Sequence, residues 1–83
     1  MNVHHLVKMI NEISAFWQGE AGPAGAPKAV ANHLQRYWDP RMRREIVAHY
    51  RAGAGGLCDT ARAAVALLAE QTPAAKAVPP SPA

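Results

Sequence analysis

Three breaks limit what this chain can fold into: a stretch rich in glycine and proline at residues 19–27, the dipeptide Asp39-Pro40, and a glycine-rich run at 53–56. Between them, apolar residues recur at three- and four-residue spacing, and no segment alternates apolar and polar residues over a useful length. That pattern belongs to amphipathic helices rather than strands, and abundant alanine favours the same choice. The expected fold is all-α: a small bundle of about four helices, with a Gly/Pro linker after the first.

Size sharpens the expectation. The chain has 83 residues, and residues 72–83, rich in proline and alanine, carry no periodic apolar face. They read as a disordered tail, which leaves residues 1–71 as the helical domain. With the linker also set aside, roughly 60 residues remain for the core, and a domain of that size buries only about 60% of the surface its unfolded chain exposes. Such domains usually draw stability from disulfides, metals or a partner. Cys58 is the only cysteine, which excludes an intrachain disulfide and a one-chain iron–sulfur or Cys-rich zinc site. A protein partner is the simplest remaining source. The net charge of +3 permits contact with acidic surfaces without predicting nucleic-acid binding. No run of ~20 apolar residues exists, so no membrane span is expected. Asn2, His4, His5 and Lys8 interrupt the N-terminal apolar residues, so no secretory signal is read there and a cytoplasmic protein is expected.

The first helix is expected over 2–18, with Val3, Leu6, Val7, Ile10, Ile13 and Trp17 on one face and Met9 and Phe16 flanking it. The second is expected over 28–38, where Val30, Leu34, Tyr37 and Trp38 share a face. Asp39 then suits an N-cap, because its carboxylate accepts bonds from unpaired N–H groups at the positive helix end. Pro40 suits the first helical position, where its missing N–H costs nothing. The third helix follows to about residue 52, with Met42, Ile46, His49 and Tyr50 as its apolar face. The fourth is expected over 59–71, with Ala61, Ala64, Val65 and Leu68 as a narrow stripe of mostly small residues, and Leu57 packed just before it.

Adjacent helical residues point about 100° apart, so Phe16-Trp17 and Tyr37-Trp38 cannot both face one narrow seam. Either a broad core wraps both rings of each pair, or one ring of each turns outward to anchor a partner, as interface cores favour Trp, Tyr and Arg. Arg43 projects off the polar side of its helix. Its planar fork suits a partner carboxylate or a bond to Asp39. Arg41, Arg44 and Arg51 read as solvated. The candidate partner-binding residues are therefore Phe16, Trp17, Tyr37, Trp38 and Arg43, and Asp39 and Pro40 are architectural. No two of His4, His5, His33 and His49 lie four apart on one helix with a completing carboxylate, so no metal site is expected. Cys58 has no nucleophile-activating partner nearby in sequence, and the 53–56 run matches neither phosphate-binding pattern. The expectation is a chain with no catalytic, cofactor-binding or metal residues.

Taken in order, Leu6-Val7-Lys8-Met9-Ile10-Asn11-Glu12-Ile13, then Ala31-Asn32-His33-Leu34-Gln35-Arg36-Tyr37-Trp38-Asp39-Pro40-Arg41-Met42-Arg43, then the glycine-rich break, Leu57 and an Ala/Leu helix, the chain resembles the delta subunit of bacterial soluble NAD-dependent, molybdenum- or tungsten-containing formate dehydrogenases. The resemblance spans about residues 3–70, and its specific part is Trp38-Asp39-Pro40-Arg41-Met42-Arg43. It implies an accessory subunit that supports assembly or stability of a complex oxidising formate to CO2. Molybdopterin guanine dinucleotide, iron–sulfur clusters, FMN and NAD would then reside in partner subunits. The alpha subunit is the expected contact, within a complex that also holds beta and gamma subunits. Two other functions compete. One is a dissociable maturation chaperone for the molybdoenzyme. The other is a small helix-turn-helix nucleic-acid binder, disfavoured by the tight Asp39-Pro40 joint and a tail that is not basic.

Overall fold

A computed structural model describes residues 2–71, so the expected tail lies outside the described residues. Three helices are present: α1 over Val3–Tyr37, α2 over Pro40–Arg51 and α3 over Asp59–Gln71. No strand occurs among the described residues. The fold is all-α, as the periodicity requires.

The linker expected at 19–27 is the main correction. Those residues are helical apart from Gly22, whose backbone (φ 75°, ψ 167°) breaks the helix at a single position. The sequence suggested a nine-residue linker because prolines and glycines alternate there, but their placement suits a helix. Pro23 opens the run after the break, where a missing N–H costs nothing. Pro27, one turn later, forfeits one intrahelical bond. Ala21, Ala24 and Ala26 favour helix, and Ala26 is fully buried, so tertiary packing adds to local preference. The segments expected at 2–18 and 28–38 are thus two arms of α1.

Gly22 also turns the chain. Ile13 and His33 line a single groove, whereas a straight helix at 1.5 Å per residue would hold them about 30 Å apart. The helix therefore folds back on itself at Gly22. The glycine's φ/ψ pair lies in a region essentially closed to residues with a Cβ.

The core forms where the two arms meet α2 and α3. Leu6 and Ile10 from the first arm and Val30, Ala31, Leu34 and Trp38 from the second join Ile46 and Val47 of α2. Ala61, Ala64, Val65 and Leu68 of α3 complete it, all four fully buried. The small residues of that stripe let α3 lie close to its neighbours. Val47 belongs to the core although it was not assigned to the apolar face of α2. Tyr37, expected on the buried face, is exposed.

Caps fix the element ends. Asn2 accepts from the His4 N–H at 2.7 Å, and Asp39 accepts from the Met42 N–H at 2.9 Å, with Pro40 in the first turn. At the end of α2, Gly53 N–H donates to the Tyr50 carbonyl (3.2 Å) and Ala54 N–H to the His49 carbonyl (3.0 Å). This is the paired closure of a Schellman motif, with a positive-φ glycine at the reversal. The following loop is held down by α1. Asn11 Nδ2 donates to the Gly56 carbonyl (2.9 Å), and Asn11 Oδ1 accepts from the Cys58 N–H (3.0 Å). A Cβ built on Gly56, whose φ is +82°, would sit 3.3 Å from Val7 Cγ1. Further along, Gln18 Nε2 donates to Thr60 Oγ at 2.7 Å.

The strain at Gly22 yields a paired prediction. Gly22→Ala should lower stability in urea denaturation by about 1–3 kcal/mol, since it forces a Cβ into a glycine-only conformation. Gly19→Ala, at a helical position with open space around it, should raise stability by about 0.5–1 kcal/mol.

Candidate partner-docking surface

The structure separates the two aromatic pairs. Trp38 is 4% exposed while Tyr37 is 70% exposed, and Phe16 is 59% exposed beside a half-buried Trp17. One ring of each pair therefore faces outward. Phe16 and Trp17 meet edge to face, with centroids 5.1 Å apart at 83°. Tyr37 lies against His33 one turn back, with ring centroids 4.8 Å apart.

Phe16 lines an open concavity, and Tyr37 packs against another of its walls, His33. An open groove of about 360 Å³ is lined by Glu12, Ile13, Phe16 and Trp17 from the first arm of α1 and His33 from the second. Phe16 is a wall of it, and Tyr37 adjoins it through His33. The fold-back at Gly22 therefore collects aromatic residues from distant parts of the sequence into one surface. Glu12 is the only formally charged residue of the lining. The groove offers apolar area, ring edges and one carboxylate, which suits side-chain recognition.

The other candidates have different places. Trp38 is the buried member of its pair and the C-cap of α1. Arg43 is turned inward. Its Nη1 donates to the carbonyls of Gln35 (3.3 Å) and Trp38. The guanidinium thus closes the end of α1, where unpaired carbonyls and the helix dipole favour a cation. Asp39, considered as its intrachain partner, instead caps α2. Arg41, Arg44 and Arg51 are exposed. His49 Nε2 lies 2.6 Å from the Gly55 carbonyl, and the half-buried Cys58 joins Asn11 through its backbone. Among the described residues no three of His, Cys, Asp and Glu converge as a metal site. Ser14 Oγ is buried without a hydrogen-bond partner.

Asn11 and His33 were missed as key residues. Asn11 borders the apolar stripe of its helix, and an amide there, able to donate and accept at once, was the available signal. His33 becomes a groove residue only through the reversal at Gly22, which periodicity does not reveal.

The inward position of Arg43 predicts a contrast between neighbours. Arg43→Ala should cost about 1–3 kcal/mol of folding stability by leaving two carbonyls of α1 without their charged donor. Arg44→Ala, at an exposed site, should stay within about 0.5 kcal/mol of the parent. Urea denaturation followed by circular dichroism reads both.

Comparison with known proteins supplies the family. Residues 5–65 match the family model for the NADH-dependent formate dehydrogenase delta subunit, FdsD. No curated protein and no solved structure matches the chain significantly. The matched stretch takes in both arms of α1, all of α2 and the first half of α3, and with it the whole groove and the Asp39-Pro40 corner. The chain belongs to the delta-subunit family of NADH-dependent formate dehydrogenases.

Proposed function

We propose that this chain is a non-catalytic accessory subunit that docks on the large alpha subunit of a cytoplasmic NAD-dependent formate dehydrogenase and stabilises the assembled complex, which also holds beta and gamma subunits. The observation that carries this reading is the exposed Phe16 ring lining an apolar groove, with the exposed Tyr37 packed against its His33 wall, in a chain of the delta-subunit family. A small domain that leaves large aromatics exposed gains by covering them, and interface cores are enriched in such residues.

A thiolate-held iron–sulfur cluster does not fit this chain. Cys58 is its only cysteine, whereas iron–sulfur clusters take several thiolates. Among the described residues, no three metal-ligating side chains converge. In this reading molybdopterin guanine dinucleotide, the iron–sulfur clusters, FMN and NAD are held by the other subunits. No helix among the described residues is long and apolar enough to cross a membrane.

The mechanism is linkage. A subunit that binds only the mature fold of its partner stabilises that fold in proportion to the logarithm of its excess over the dissociation constant, about 2.7 kcal/mol at a hundredfold excess. A dissociable maturation chaperone would use the same surface but leave the finished enzyme.

Co-expression of the other subunits with and without this chain tests the proposal. Omission should lower the yield of intact complex and its molybdenum content, and the chain should copurify with active enzyme in constant stoichiometry. Unchanged complex size, cofactor content and activity on omission would overturn the accessory role. Absence from the mature enzyme, with lower yield on omission, would indicate the chaperone.

A further inference from the structure

We infer that the groove between the two arms of α1 seats an amphipathic helix of a partner formate dehydrogenase subunit, one that presents an apolar stripe edged by a lysine or arginine. The inference rests on the accessory-subunit reading and names the surface and the chemistry of its partner.

Three observations carry it. The groove has helical walls on both sides, with Ile13, Phe16 and Trp17 on one arm and His33 on the other. Two helices set side by side form a trough into which the side-chain ridge of a third can pack. An apolar helix face laid into such a trough is a recurrent recognition mode. The exposed rings supply the energy. Phe16 is 59% exposed and Tyr37 70% exposed, and covering aromatic surface of this kind is what interface hot spots do.

Charge selects the edge of the occupant. The chain carries a net +3, yet the only formally charged wall of the groove is the Glu12 carboxylate. A partner cation beside Glu12 is favoured, and an acidic occupant is repelled. A pairing of two copies with Glu12 beside the twofold axis would set two like carboxylates close together.

The test uses the complete complex with an affinity tag on the large subunit. A photo-reactive benzoylphenylalanine replaces Phe16 in one preparation and Ala63, exposed on α3, in a control. Irradiation should crosslink position 16, and not position 63, to a helical peptide of another subunit that contains lysine or arginine. Glu12→Lys should reduce retention of the chain on the tagged complex by about tenfold or more, and Glu12→Gln by less. Circular dichroism checks that both variants stay helical. Crosslinking from position 63 alone, or from position 16 to a second copy or to residues 72–83 of the same chain, would overturn the inference. Full retention of Glu12→Lys would overturn it as well. In each of those cases retention of the unaltered chain leaves the accessory reading standing, whereas failure of the unaltered chain to copurify defeats that reading itself.

Discussion

The architecture depends on the backbone reversal at Gly22. Without it, α1 would be a rod with its apolar residues on faces that never meet. With it, Leu6 and Ile10 share a core with Val30, Ala31 and Leu34, and α2 and α3 have a floor to pack on. The non-helical geometry is confined to one residue, because the flanking prolines and alanines stay helical. Pro23 restarts the helix where it needs no donor, and the missing N–H of Pro27 is one bond set against a buried neighbour, Ala26.

A domain this small has little apolar area to spare, and polar side chains fasten what the core cannot. Asn11 holds the 53–58 loop at two backbone points, Arg43 closes α1, and Gln18 reaches Thr60 at the start of α3. Each satisfies groups that would otherwise need water, and the Asn11 and Gln18 bonds join segments more than forty residues apart in sequence. Side chains that read as solvated in the sequence thereby become joints of the fold.

This explains what the sequence discloses and what it hides. Helical periodicity, the Asp39-Pro40 start and the Ala61–Leu68 stripe are local properties, and they appear in the structure where the residues imply. Proline and glycine density at 19–27 misleads, because density does not report which residue leaves the helix. The adjacent aromatics leave two outcomes open, a core broad enough for both rings or one ring turned outward, and the structure takes the second. The identity of those rings depends on how far the core extends. Tyr37 sits on the stripe of Val30 and Leu34 yet lies beyond its cover, while Trp38 turns back under the corner. Arg43 shows the same limit: its direction was legible, but its acceptors lie on another helix.

The Asn11 clamp has a consequence for synthesis of the chain. The groove is lined by residues 12–33 of α1, which are synthesised before α3. Its backing comes later, since Asn11 must wait for Gly56 and Cys58, and the core for Leu68. The nascent chain thus exposes its aromatic face before it owns a stable fold. Whatever meets that face first, a partner helix or a chaperone of the cell, competes at a moment set by translation and not by affinity alone.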